Sequence, residues 1–580
     1  MAPGSTIFTL RPLSLARCVT WTIVLFLISM MSLSGSGLAV PDQEAVTIDS
    51  LSSESEQIRT LIDSRSSISA FTCAGELICG ISLLPDFYRR RHYEPAWITS
   101  EQVSSQAYEL LTTIRSAKDY GLSPSDYHLS AIEQLVEEID LKHQLGMPID
   151  VKILGEADIL MTDAFLLLGS HLYGGRVNPE TIHSEWVAFQ YELDLSRLLE
   201  EAIETQRVRQ ALGDLHPSHV GYVGMQKALA TYRAIAESGG WPKVPDGESL
   251  KLGDENPVVE ALRARLRVSG DLTDENHDNG YHFDISIDRA VRAFQRRHGI
   301  EADGVVGKKT REQLNIPVEE RVRQIEINME RWRWIPHNLG ERYLLVNIAD
   351  FSLKVFENGR PASEMKVIVG RPFRKTPVFS SRMTYLVLNP YWNVPYKLAV
   401  EDLLPKIQQD QNFIKDNGFR IFSDWSDAAV ELDPLAVDWH RFDRRNFPYR
   451  LRQDPGPQNA LGRIKFMFPN KFAVYLHDTP SRRLFEATSR GYSSGCIRVE
   501  RPVWLAEFVL KGQDEWSFGQ IEGRLNSGEK QTVQLRRPID VHLLYWTAWV
   551  SDDGVVHFRD DIYGRDLPLA TALSERLTIG

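Results

Sequence analysis

The chain has 580 residues, more than one hydrophobic core supports, and its length alone points to about three to four domains. Its 66 basic and 78 acidic residues give a net charge of −12, and with no basic run this argues against a nucleic-acid partner. At the N-terminus, Arg11 and Arg17 precede an apolar run from Cys18 to Leu33, and Gly37-Leu38-Ala39 offers small residues for cleavage. Residues 1–39 are therefore expected to be a signal peptide. The run is shorter than the roughly 20 apolar residues that span a bilayer comfortably, and if retained it would act as an anchor. No other segment reads as transmembrane. Without Cys18 the cysteines are Cys73, Cys79 and Cys496. Cys73 and Cys79 are near neighbours and are expected to form a local disulfide in an oxidising compartment, leaving Cys496 as the odd thiol.

Residues 54–245 read as helical. Leu84–Trp97 mixes aromatics with turn breakers, while Ala107–Ile114 and Leu154–Leu172 carry apolar residues at spacings of three and four. The latter run stops at Gly174-Gly175-Arg176-Val177-Asn178-Pro179. This region is read as a packing scaffold without chemistry. A break at Gly239-Gly240-Trp241-Pro242 leads into a compact module over 251–318. There Val258, Val259, Leu262 and Leu266 form one helical stripe, and Ile287, Val291 and Phe294 another. Together with Phe294–Ile300, Asp303-Gly304-Val305-Val306-Gly307 and Leu314-Asn315, the module resembles the three-helix peptidoglycan-binding domain. The resemblance implies a glycan contact; the alternative is a spacer that no longer binds glycan.

From 341 to 580 the period changes to two. Leu344, Val346 and Ile348 alternate, and Asn358-Gly359 before Met365, Val367 and Val369 is a hairpin signal. Further strands are expected at Thr384–Asn389, Ile464–Phe468 and Phe472–His477, with a helix from Pro502 to Lys511. The whole chain is thus expected to be multidomain α+β, ending in a mostly antiparallel β-domain. Residues 401–460 are too long for an ordinary loop and carry Trp425, Trp439, Phe442, Phe447 and Tyr449, so they are expected to pack as an insertion. Residues 521–580 are read as a C-terminal extension, with a hairpin-like pair at Val541–Val550 and Val555–Phe558.

The chemistry concentrates in Tyr475-Leu476-His477-Asp478-Thr479-Pro480 and Ser493-Ser494-Gly495-Cys496-Ile497-Arg498-Val499. In an extended chain Tyr475 and His477 share a face, and Cys496 lies 19 residues beyond His477, enough for the chain to turn and return. A neighbouring histidine can lower a thiol pKa from about 8.5 to about 3.5–7.5. Gly495 and Ser494 would let a carbonyl approach the backbone and aim N–H groups at an oxyanion. Tyr475 and Trp392 are candidate substrate contacts, and Arg498 a support or carboxylate partner.

These motifs resemble the L,D-transpeptidases of bacterial cell-wall assembly, in their large, multidomain, periplasmic subgroup. The resemblance makes Cys496 the nucleophile and His477 the general base; many relatives carry a second histidine where this chain has Ser494. It implies a β-sandwich-like catalytic domain, a helical scaffold domain over the N-terminal helices, and an insertion that caps the site as a lid. It also implies a substrate: peptidoglycan stem tetrapeptides, joined through a cysteine thioester into 3→3 cross-links, with carbapenems as acylating inhibitors. No cofactor is required, and the 15 histidines show no zinc-ligand spacing. A hydrolase using the same site, or a non-catalytic wall-binding scaffold, are the alternatives.

Overall fold

The computed structural model describes residues 52–63, 71–187, 193–273 and 280–575; the N-terminal run read as a signal lies outside them. The scaffold is organised by helix α1 (Val151–Gly174), which is apolar on nearly every face and is accordingly sheathed by its neighbours. Its two buried carboxylates are satisfied by the chain they hold in place. Asp158 accepts from the Tyr88 hydroxyl and from the amides of Ala96 and Trp97, and Asp163 accepts from the amides of Cys79 and Gly80. These bonds seat the aromatic segment that the sequence marked with turn breakers. The helix ends at Gly175, whose φ of +89° places it in the left-handed region, and a Cβ there would lie 2.6 Å from Trp334 Nε1.

The expected Cys73–Cys79 bridge is not formed; both residues are thiols. They flank a two-stranded hairpin in which Cys73 stands opposite Glu76. Cys79 lies just past the end of the partner strand Glu76–Ile78, three residues on from Glu76. Three strand residues span about 10 Å, beyond the roughly 7 Å across which two cysteines can be joined.

Helix α2 (Val220–Glu237) closes the scaffold region and packs on a later linker helix. Next come α3 (Val258–Val268), α4 (Ile285–Arg297) and α5 (Lys308–Leu314). Their core is the pair of predicted stripes, joined by Val306 and Leu314. The Asp284 carboxylate caps α4 by accepting from the amides of Ser286 and Ile287. The linker α6 (Val318–Arg333) went unread in the sequence, because its inward face carries Glu330, Arg331 and Arg333. Those charges are paired internally: Glu330 with Arg333 at 2.6 Å, and Arg331 with Asp566 at 2.7 Å.

The C-terminal half contains β1 (Tyr343–Asn347), β2 (Ser352–Glu357), β3 (Arg360–Gly370), β4 (Phe379–Leu388), β5 (Trp392–Asn393), β6 (Phe419–Phe422), β7 (Glu431–Leu432), β8 (Arg450–Gln453), β9 (Ile464–Met467), β10 (Leu476–His477), β11 (Gly491–Ser493), β12 (Ile497–Val499), β13 (Gln531–Leu544), β14 (Ala548–Val550) and β15 (Val556–Phe558). The main sheet runs β11-β3-β12-β10-β9-β4-β13-β1-β2, and β2 pairs back onto β3, so all but β11 close into a ring. The pairs β13–β1, β10–β12 and β11–β3 are parallel and the others antiparallel. Leu344, Val346, Leu353, Val367, Leu386, Phe466, Leu476, Ile497, Val541 and Leu543 fill the core, against Leu505 and Ala506 of α7 (Pro502–Val509). Each such side chain, fully buried, contributes about 1.5–3 kcal/mol.

The segment read as a C-terminal extension supplies β13, which lies between β4 and β1 and is integral to the sheet. The predicted hairpin is correspondingly shorter, β14 with β15. The insertion starts earlier than residue 401: β5 joins β6, β7 and β8 in a separate four-stranded sheet. Its own core includes Leu403, Leu404, Ile407, Ile414, Trp439, Phe447 and Leu451. No helix among the described residues is long and apolar enough to cross a membrane.

Candidate active site

Two short parallel strands set the geometry. In β10 and β12, Leu476 stands beside Ile497 and His477 beside Arg498. Leu476 and Ile497 are wholly buried in the core. By the two-residue period, Tyr475, His477, Cys496 and Arg498 occupy the opposite face. On the other side of β10, Lys465 of β9 stands opposite His477, which sets Lys465, His477 and Arg498 in a row.

The turn before Cys496 is held by small polar side chains. The Ser493 hydroxyl donates to the Cys496 carbonyl at 2.5 Å and accepts the Gly495 amide at 3.1 Å. Gly495 has a φ of +116°, which an L side chain would strain. The Thr376 hydroxyl donates to the Gly495 carbonyl at 2.9 Å and accepts from the Gly370 amide. Behind it the Tyr563 hydroxyl donates to the Gly370 carbonyl and accepts the Thr376 amide. The Gly495 amide is therefore committed to Ser493, which corrects the expectation that it faces an oxyanion.

The donors of Tyr475 favour the ionised form of the Cys496 sulfur. Lys465 lies over the Tyr475 ring, 3.8 Å from its centre, a cation–π contact. His477 is buried, and its Nδ1 is 2.6 Å from the Asp478 carbonyl. Donation from Nδ1 makes Nε2 the basic nitrogen of the neutral ring. Asp478 in turn accepts the Arg463 amide at 2.9 Å, fixing the loop beneath the histidine.

The electrostatics differ from the sequence expectation. Burial pushes the Cys496 thiol up, and the Tyr475 donors with the Lys465 and Arg498 charges offset this only in part. Burial likewise depresses His477, to about 3, with the Arg498 and Lys465 charges adding to the effect. At neutral pH the pair is a thiol and a neutral imidazole, not a thiolate with an imidazolium. The rate of Cys496 alkylation by iodoacetamide, followed by peptide mass, should accordingly be low at about pH 5–7, rise about tenfold per pH unit, and level off only above the ordinary thiol pKa of about 8.5. An inflection below about pH 6.5 would reveal a preformed ion pair and contradict this picture.

Of the residues singled out in the sequence, Tyr475, His477, Cys496 and Arg498 lie on one face of the β10–β12 pair, with Gly495 in the turn before Cys496. The Ser494 hydroxyl accepts a bond from Arg374 at 3.0 Å. Trp392 belongs to the insertion sheet, with its ring 6.0 Å from that of Phe419. Sequence reasoning missed Lys465, Arg374, Thr376 and Tyr563. Lys465 left a signal, a lone cation between Ile464 and Phe466 in a period-two run; the others meet the site only through long-range pairing.

A thiol-bearing turn thus sits on a closed, mostly antiparallel sheet, with a histidine on the same face of the paired strands. Residues 341–520 match the model of the L,D-transpeptidase catalytic domain, residues 82–229 the scaffold domain, and residues 255–314 the "putative peptidoglycan binding domain". Residues 341–520 thus form a domain of the L,D-transpeptidase catalytic family, preceded by the scaffold and peptidoglycan-binding matches. It is 39% identical over 245 residues to a "putative L,D-transpeptidase" of Haemophilus influenzae, a match covering 42% of this chain and 48% of that protein. It is also 38% identical over 76 residues to the N-acetylmuramoyl-L-alanine amidase CwlM of Mycobacterium tuberculosis, covering 12% and 19%. The chain thus spans about half the length of the first relative and less of the second. An L,D-transpeptidase structure from Xylanimonas cellulosilytica aligns at 16% identity and a TM-score of 0.16, over 52% of this chain and 98% of that one.

Proposed function

We propose that this chain is a periplasmic L,D-transpeptidase that forms 3→3 cross-links between peptidoglycan stem peptides through a thioester on Cys496. The observation that carries the reading is the register of β10 against β12, which sets Tyr475, His477, Cys496 and Arg498 on one face. In the first half-reaction Cys496 Sγ attacks the carbonyl of the third stem residue as His477 Nε2 takes the thiol proton. The Cys496 amide and the Tyr475 hydroxyl meet the oxyanion. Collapse breaks the amide, and the departing D-alanine amine takes the proton from His477. In the second half an amine from another stem attacks the thioester and gives up a proton to His477. The thiolate leaves, and Cys496 regains its proton. Arg498, whose Nε is buried without a hydrogen-bond partner, suits a substrate carboxylate, and the 251–318 module suits retention on the wall.

Incubation of the protein with purified disaccharide-tetrapeptide, with mass analysis of the products, tests this reading. A cross-linked dimer with loss of D-alanine is expected; a shortened monomer alone would make the protein a hydrolase, and unchanged substrate would favour a wall-binding scaffold. The insertion should act as a lid that keeps water from the thioester. Its ends are neighbouring strands, with Trp392 opposite Gln453, so residues 392–453 can be replaced by a short Gly/Ser linker without opening the main sheet. The deletion should lower the ratio of cross-link to hydrolysis product while leaving the circular dichroism of the β-domain intact. An unchanged ratio would remove the lid role.

A further inference from the structure

The loop between β3 and β4 touches both the turn that carries Cys496 and the insertion, and one side chain spans the two. Arg374, half-buried, forms a bidentate pair with Asp402 at 2.5 and 2.7 Å and a further bond to Glu401 at 2.9 Å. The same guanidinium donates to the Ser494 hydroxyl at 3.0 Å. Glu401 and Asp402 lie in the π-helical turn Ala399–Leu403 that follows β5 within the insertion, and Ser494 is two residues before Cys496.

The loop itself is anchored to the turn. The Arg371 amide donates to the Ser493 carbonyl at 3.0 Å, the Arg374 amide to the Arg371 carbonyl at 2.9 Å, and Thr376 holds the Gly495 carbonyl. The loop folds so tightly over Gly370 that a Cβ there would run into the Arg374 carbonyl. A guanidinium has a rigid, planar set of donors, so it cannot follow the insertion and keep its bond to Ser494 unless the two move together.

We propose that Arg374 is a positioning residue that couples the pose of the insertion to the geometry of the Cys496 turn. With the insertion closed, Asp402 and Glu401 orient the guanidinium, and the guanidinium holds Ser494. With the insertion swung away, the carboxylates leave, the Ser494 bond is lost and the turn loosens. The insertion would then report its closure to the nucleophile as well as shielding it. This inference rests on the proposed acyl transfer for its kinetic consequence, but the coupling itself does not.

Hydrogen exchange on the full chain tests the coupling independently of activity. Asp402→Asn, a change on the insertion alone, should speed exchange at Gly495–Ile497, and Ser494→Ala should speed exchange at Ala399–Leu403. If each variant loosens only its own segment, the latch is overturned, whether or not the chain cross-links stem peptides. The kinetic arm is a double-mutant cycle on cross-link formation. Ser494→Ala and Asp402→Asn should each lower kcat about tenfold with KM nearly unchanged, and the double variant should fall no further than about tenfold, because both act through Arg374. Arg374→Gln should match the double variant and Arg374→Lys should recover only part, since an ammonium cannot make the bidentate pair. A double variant down about a hundredfold, the product of independent effects, would refute the mechanism. A wild-type protein that makes no cross-link would count against the transpeptidase reading and leave the exchange result to decide the latch.

Discussion

Cys496→Ala should yield no covalent adduct with a carbapenem at any pH, measured by intact-protein mass, because a methyl group cannot attack a carbonyl. Cys496→Ser should fail as well, since the His477 imidazole, which burial holds at about 3, is too weak a base to generate an alkoxide. His477→Ala should acylate about 10²–10⁴-fold more slowly at neutral pH, the usual contribution of a positioned general base. The sign of its pH dependence follows from the raised thiol. Increasing pH enlarges the thiolate fraction, so the variant should recover part of its rate above about pH 8.5. Wild-type acylation by His477→Ala at neutral pH, or any adduct on Cys496→Ala, would show that the roles are assigned wrongly.

The largest stability effect should come from Glu330, far from the thiol. This carboxylate is wholly buried, pairs with Arg333 and accepts the Val177 amide at 2.8 Å, tying α6 to the chain that leaves α1. Glu330→Ala would strand the buried Arg333 charge and orphan a backbone donor. Removing one partner of a buried pair costs about 3–5 kcal/mol, so the urea midpoint should drop markedly. Glu330→Gln retains an acceptor for Val177 and should cost less. Equal midpoints for Glu330→Ala and the wild type would mean that the pair contributes no net stability.

The fold was legible where a local pattern carried it. The apolar stripes of α3 and α4 became the module core, and Asn358-Gly359 forms the β2–β3 hairpin with both residues at positive φ, +53° and +68°. Tyr475 and His477 read as sharing a face because a two-residue period needs no partner to be seen, whereas the place of Cys496 beside them depends on the β10–β12 pairing. What failed was non-local or locally broken. The predicted strand Phe472–His477 shrinks to Leu476–His477, since Ala473 has a φ of +54° and the Asn470 side-chain Oδ1 captures the amides of Phe472 and Val474. Proximity in sequence suggested a Cys73–Cys79 bond that the hairpin register forbids. The depressed thiol pKa expected of a Cys–His pair does not follow either, because burial, which no motif spells out, outweighs the neighbouring cations.

The position of β13 also governs the order in which the molecule can be made. The ring closes only when Gln531–Leu544 inserts between β4 and β1, roughly 150–200 residues after those strands have been synthesised. Until then both strands present bare hydrogen-bonding edges, and contacts of such long sequence separation form slowly. A truncation at residue 520, where the catalytic-domain match ends, would make that transient gap permanent and leave two sticky edges in place of a closed barrel. The shortest piece that can shape the nucleophile's turn therefore runs past Leu544, and through the Tyr563 hydroxyl beneath Gly370 it extends further still.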